Sequence, residues 1–473
     1  MKHFFLLLLL FEMLAGTAQA QRPRTLALSH VTVIDMTGAR PKPDMTVLIT
    51  GNLITGIVKD NHVHIRHGAR IVDARGKFLI PGLWDMHVHF TRIDTTLPLF
   101  VANGVTGVRN MGGDLDDLLR WRTDVRAGKV IGPEIVTCGP IIDGPDPAAH
   151  GPTIVVSDPA EARAAVDSLK QRGADCVKVY DKLPRDAYFA IIDEAKKQSL
   201  PVVGHVPLSI TSIEASDAGQ KSIEHLGTIL EGSSSLGSDL FSAEKSLPPV
   251  KDPSEFPRRL AARGTRMLDT YDPQRAAEIF AHFVKNQTWQ VPTLEVKYTQ
   301  TFIDELFRKG DDRLKYIPAA DHQWWRPTTN LFARYRTPDY ISYRHRLWQK
   351  EVDLVRAMHR AGVPFMAGTD LSGAYIFPGF SLHHELELLV QAGFTPIEAL
   401  QTATLNPAIF LGELKSQGTI EKGKLANLVL LDASPLHDIR NTKKINAVIL
   451  DGSFLSRAEL NKLLAEAAAA VNK

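Results

Sequence analysis

Two histidines one residue apart, His87 and His89 in "GLWDMHVHF", are the first groups in this chain that could do chemistry. Alternate residues of a β-strand share a face, so both imidazoles and Asp85 point the same way if this apolar run is a strand. Such a pair at a strand end is ready to bind a metal ion; taken alone, it could also be a polar layer in a core. Other apolar runs end in groups of the same kind. His205 closes "VVGHV", His225 closes "SIEHL" and Asp370 closes "VPFMAGTD". Four imidazoles and one carboxylate converging from four strand ends suit Zn, Mn, Fe, Co or Ni, and the residues alone do not choose among them.

Lys178 lies inside "DCVKVYD". If Val177 and Val179 pack against outer helices, Lys178 and Tyr180 face the interior. An unpaired ammonium there costs several kcal/mol. Either a carboxylate pairs with it, or the neutral amine takes up carbon dioxide and becomes a carbamate, an anionic ligand able to bridge two metals. Beside the other five groups, the carbamate is the expected outcome. Tyr180 is then a candidate substrate contact, with a core tyrosine as the alternative.

These groups need elements to carry them. Eight short apolar runs, near 83–89, 105–109, 134–138, 176–180, 201–205, 221–225, 290–294 and 363–369, alternate with amphipathic stretches such as "PAEARAAVDSLKQRG". Strand and helix in regular alternation predict an α/β fold, a (β/α)8 TIM-like barrel whose site lies at the C-terminal ends of its strands. Residues 26–76 and the tail, with "NLVLLD" and "NAVILDGSFL", have the texture of short strands and turns. They predict a small β-sandwich domain formed by the N- and C-terminal segments. The expected organisation is a β-sandwich part over 21–78, a barrel over 79–415 and a second sandwich part with a C-terminal helix over 416–473. The barrel would carry insertions at 230–289 and 298–350, holding "EGSSSLGS" and "HQWWRP" and serving as a lid or as extra structure without a role at the site.

The first 20 residues, basic at Lys2, apolar from Phe4 to Phe11 and ending Ala18-Gln19-Ala20, predict a cleaved secretory signal peptide. The expected protein is secreted, periplasmic in a Gram-negative cell, with no membrane anchor after cleavage. Export permits a disulfide, but Cys138 ends one predicted strand and Cys176 begins another. In neighbouring parallel strands those positions lie at opposite ends, so two free, partly buried thiols are expected. With 55 basic against 53 acidic residues, nothing marks a nucleic-acid surface.

H-x-H after the first strand, Lys on the fourth, His on the fifth and sixth and Asp on the eighth resemble the binuclear amidohydrolase superfamily. The resemblance covers nearly the whole chain after the signal. It includes "GKFLIPGLWDMHVHF", "NGVTGVRNMGG" and "ALQTATLNPAIFLGELKSQGTIEKGKLANLVLLD", and it is greatest to imidazolonepropionase-like and prolidase-like enzymes. It implies two divalent metal ions, zinc foremost. His87, His89 and Asp370 would hold the more buried ion, His205 and His225 the more exposed one, and carboxylated Lys178 would bridge them. The chain departs from the prolidase-like pattern after strand three, where "GPIIDGPDPAAHGPTIVV" replaces a Gly-Gly-His segment. His150 is the candidate substrate contact there, against the alternative of a surface histidine. Arg109 would brace its loop or meet an acidic ligand, and "HHE" at 383–385 is read as structural.

The implied function is hydrolysis of a C–N bond in an N-acyl amino acid, dipeptide or related amide. A bridging hydroxide attacks and Asp370 moves the proton. A lactonase or esterase on the same site is the alternative, and a non-catalytic scaffold would have lost ligands that this chain keeps. A small-molecule amide is the expected partner, and a homo-oligomer is left open.

Overall fold

The computed structural model describes residues 25–471 apart from 60–64, 66, 238, 240–251, 253–254, 331–332, 334–335 and 372. Residues 1–20, where a signal peptide is expected, lie outside the described residues. Five strands come first: Thr25–Val33 (β1), Lys42–Thr50 (β2), Leu53–Lys59 (β3), Arg70–Asp73 (β4) and Phe78–Pro81 (β5). The middle carries Leu83–Val88 (β6), Val105–Asn110 (β7), Glu134–Thr137 (β8), Ile141–Asp143 (β9) and Thr153–Val155 (β10). Val177–Val179 (β11), Val202–Gly204 (β12), Ser222–Glu224 (β13) and Trp289–Val291 (β14) follow. Leu428–Leu431 (β15), Ile445–Leu450 (β16) and Ser453–Ser456 (β17) come last.

The two ends of the chain meet in one eight-stranded sheet of order β17-β16-β15-β5-β1-β2-β3, with β4 beside β1. The join is the antiparallel pair β5 and β15, which sets Leu79 opposite Leu430. Leu28, Val31, Val47, Ile49, Leu79, Leu430 and Ile449 form an apolar core of their own on this sheet. Their β-branched and aliphatic side chains fit a pleated, half-buried surface.

The middle strands are parallel and fall into two sheets, β6-β7-β8 and β10-β9-β11-β12-β13-β14. Helices run between them. Pro159–Arg172 shows why they form: the Asp158 side chain accepts the backbone N–H groups of Ala160 and Glu161, proline occupies the first turn, and Gly173 ends the helix left-handed. Its buried face is Ala162, Ala165, Val166 and Leu169. Full burial of a leucine like Leu169 stabilises by about 1.5–3 kcal/mol.

Side chains and backbone link the two parallel sheets. Residues 363–371 form no regular strand, yet Met366 N–H donates to Gln290 carbonyl at 2.9 Å, and Met86 N–H donates to Ala367 carbonyl at 2.9 Å. Asp370 N–H donates to His87 carbonyl at 2.8 Å. Gly368 permits this crossing, since a Cβ there would lie 2.9 Å from the His87 nitrogen. On the other side, Asp175 N–H donates to Thr137 carbonyl at 2.8 Å.

That last bond corrects the cysteine expectation. Cys138 and Cys176 form a disulfide, with Cα atoms 4.4 Å apart. Cys138 directly follows β8 and Cys176 directly precedes β11, and the Asp175–Thr137 bond sets the end of one strand beside the start of the other. Neighbouring strands level with one another would set the two sulfurs at opposite ends.

The segment after β14 holds helices Leu294–Thr301, Ile303–Lys309 and Ala319–Trp325, followed by the long helix Pro338–Arg360. Trp325 packs on Tyr375 and Phe377, in the loop that follows Asp370. No helix among the described residues is long and apolar enough to cross a membrane.

Candidate metal centre

His87 sits in β6 and His89 just beyond it; Lys178 is the middle residue of β11; His205 and His225 directly follow β12 and β13. All five are therefore at or near one end of parallel strands, and the bond to His87 carbonyl brings Asp370 beside them. One ligand atom each from His87, His89 and Asp370 lie within 4.8 Å of one another. His87 Nε2 is 3.3 Å from His89 Nε2 and 3.4 Å from Asp370 Oδ1. His225 Nε2 is 4.0 Å from Asp370 Oδ2. The His205 and His225 rings meet edge to face, with centroids 4.8 Å apart. Thus the structure gathers the four histidines and Asp370, with three of them in the tightest group.

Three of the four imidazoles, those of His87, His205 and His225, are aimed by a side-chain partner on Nδ1. His87 Nδ1 is 2.8 Å from Glu224 Oε2, His205 Nδ1 is 2.8 Å from Asp181 Oδ1, and His225 Nδ1 is 2.7 Å from Thr293 Oγ1. Such partners turn Nε2 and its lone pair inward, as metal-binding histidines require. Burial, reinforced by the charge of Lys178, holds His87 well below its ordinary pKa. Burial and the neighbouring His205 do the same for His225. Neutral imidazoles keep the lone pair free, so this donor set fits a divalent cation.

Lys178 is buried, with Val177 and Val179 packed in the main apolar core. Burial pulls its ammonium down to about 8, against Glu224 and Asp370, which favour the charged form. Among the described residues no carboxylate reaches ion-pairing distance of Nζ. Tyr180 stacks on His205 with centroids 3.9 Å apart, and burial raises its hydroxyl above the usual range. His150 lies exposed in the loop between β9 and β10.

Arg109 does not face a ligand. It is fully buried and braces the site: Nε donates to Met86 carbonyl at 2.7 Å and a terminal nitrogen lies 2.8 Å from Glu224 Oε1. Asp85 is also buried; it accepts Thr369 N–H at 3.0 Å and the Thr369 hydroxyl at 2.7 Å. Burial raises its pKa to about 7 despite these bonds. In "HHE", Glu385 accepts the N–H groups of Leu294 and Glu295, and so anchors the helix that follows Thr293.

Sequence reasoning missed Glu224, Asp181 and Thr293. The signal was present for the first: Glu224 directly precedes His225. His225 and Asp370 also adopt left-handed backbone, at φ 66° and 59°. For residues other than glycine this is strained, and such strain collects at functional sites. A cleft of about 1460 Å³ opens elsewhere, around Trp84, Lys221, Phe410 and Asp451, and none of these five site histidines and carboxylates lines it.

Known proteins resemble this chain along most of its length. Ochratoxinase of Aspergillus niger is 23% identical over 433 residues, covering 78% of this chain and 73% of the relative. The solved bottromycin amidohydrolase superposes with a TM-score of 0.73 at 22% identity, covering 95% of this chain and 91% of its own. A Xaa-Pro dipeptidase crystallised with methionine gives 0.65 at 20% identity, covering 91% and 100%. These structures share the mixed α/β fold. The Amidohydrolase family model matches residues 53–455, so the chain belongs to the Amidohydrolase family and is a hydrolase of carbon–nitrogen bonds.

Proposed function

We propose that this is an exported, metal-dependent amidohydrolase that cleaves the amide bond of an N-acyl amino acid, dipeptide or related small molecule. The observation that carries this reading is the group His87, His89 and Asp370, whose ligand atoms lie within 4.8 Å of one another. The names of the similar proteins agree with it. In this reading the parallel strands, with residues 363–371, make a (β/α)8 barrel, and the terminal sheet is its sandwich-like companion.

His87, His89 and Asp370 would hold one divalent ion, and His205 and His225 a second, zinc foremost. Such ions lower the pKa of water to about 7 and polarise a carbonyl. Lys178 is the proposed bridge. Its Nζ attacks the carbon of carbon dioxide and releases a proton, leaving an anionic carbamate oxygen in place of a buried ammonium. Asp370 touches both imidazoles of the tight group, at 3.4 and 3.6 Å, and so stands where it can take a proton from the attacking water. The same carboxyl then delivers that proton to the leaving nitrogen, which cannot depart as an anion. Tyr180 and His150 are the proposed substrate contacts.

The experiment is a screen of dipeptides, N-acyl amino acids, esters and lactones with zinc-loaded protein, beside Asp370→Asn. Amide turnover that falls by about 10²-fold or more in the variant, with zinc retained, is the expected result. Turnover of lactones alone, or near-normal turnover by Asp370→Asn, would overturn the reading.

A further inference from the structure

Asp143 ends β9 and is fully buried, although it binds no candidate ligand and caps no helix. Its carboxylate is saturated with backbone donors. Oδ1 accepts Gly144 N–H at 2.8 Å and Lys182 N–H at 2.7 Å. Oδ2 accepts Ala148 N–H at 2.8 Å and Ala149 N–H at 3.2 Å. Three of these donors belong to the loop that leads to His150. The fourth follows Tyr180 and Asp181 directly.

The register explains the meeting. β9 and β11 are parallel, with Ile142 opposite Val179, so Asp143 stands level with Tyr180. Tyr180 stacks on His205, and Asp181 holds His205 Nδ1 at 2.8 Å. The loop and the strand end also touch through backbone: a Cβ on Gly144 would lie 2.0 Å from the Lys182 carbonyl oxygen. Charge-assisted bonds to backbone N–H groups are roughly twice as strong as neutral ones. An exposed loop whose only need is to connect two strands has no use for three such bonds to one buried carboxylate.

We propose that Asp143 is a positioning residue that docks the loop 144–150 onto the strand end carrying Tyr180 and Asp181, fixing the two proposed substrate contacts, Tyr180 and His150, and the aim of His205 together. This rests on the reading of His205 as a ligand of the second metal ion. None of the four bonds of Asp143 reaches His87, His89 or Asp370. Loosening the dock therefore weakens the second metal and substrate binding while sparing the first metal.

Two variants of the full chain test this. Asp143→Asn keeps the side-chain shape but removes the charge and one acceptor. Gly144→Ala pushes the loop off Lys182 without touching the carboxylate. Zinc titration should show the weaker of two affinities falling about tenfold and the tighter one holding within about twofold in both variants. On the amide found by the screen, KM should rise by more than kcat falls. Hydrogen–deuterium exchange should quicken in 144–150 and in 181–183. The proposal is overturned if both zinc affinities fall together, or if neither changes and KM stays as in the parent protein. If the parent protein binds fewer than two zinc ions, the two-metal reading fails instead. Exchange then decides: faster exchange in both segments supports the dock, and unchanged exchange in 181–183 overturns it.

Discussion

Nδ1 of His87 lies 2.8 Å from Oε2 of Glu224, and the other oxygen of that carboxylate lies 2.8 Å from Arg109. One buried anion therefore does two things: it orients a candidate ligand and it neutralises a guanidinium that has no access to water. Removing its charge should damage both. Glu224→Gln is expected to lower metal affinity by about 10–100-fold, the usual effect of losing such a partner. It should also destabilise the fold by roughly 3 kcal/mol, because Arg109 is left buried and unpaired. Metal titration and chemical denaturation read the two effects separately. Parent-like metal affinity in a folded variant would refute the orienting role.

Lys178 offers a second test. If its amine is carboxylated, protein prepared without carbon dioxide or bicarbonate should bind less metal and recover on adding bicarbonate. Lys178→Ala should lose metal and regain part of it with a short carboxylic acid such as propionate, which replaces the missing oxygen donor. A variant that holds the full metal complement with no added acid would show that the lysine is only a buried cation.

The disulfide can be tested without reference to activity. Cys138 and Cys176 are 38 residues apart in sequence. Closing a loop of that size in the unfolded chain stabilises by about 2–4 kcal/mol. Cys138→Ser with Cys176→Ser should unfold at a correspondingly lower denaturant concentration. A midpoint equal to that of the oxidised parent would mean that the bond is not formed in solution.

His383 predicts an acid dependence. It is buried, its Nε2 is 3.1 Å from the Asn103 carbonyl, and burial lowers its pKa from 6.5 to about 4. Between those values the unfolded chain binds the proton and the folded one does not. The contribution of neutral His383 is therefore complete above about pH 6.5 and is lost as the pH falls toward 4, an effect of up to roughly 3 kcal/mol. His383→Gln, which can still donate to Asn103, should show a shallower loss of stability between pH 6.5 and 4. An unchanged slope would assign the acid sensitivity to other groups.

Much of the candidate site is legible in the sequence. A two-residue period puts His87 and His89 on one face whatever the rest of the chain does. Valines on either side of Lys178 declare which way it points, and a polar group closing an apolar run marks a strand end. Asp158, Pro159 and Gly173 announce the limits of a helix within a few residues of themselves. All of these are local consequences of backbone geometry and side-chain type, and the sequence determined them by itself.

The contacts that aim the site were not local. Glu224 reaches His87 across 137 residues, and Asp143 reaches Lys182 across 39. The stagger that brings Cys176 beside Cys138 is a property of how two strands slide past each other, and nothing in either strand alone states it. Hydrogen-bond register between distant strands depends on the packing of everything between them. Only the tertiary structure decided which carboxylates stand behind the histidines, that the cysteines are joined, and that Arg109 serves the site from within the core.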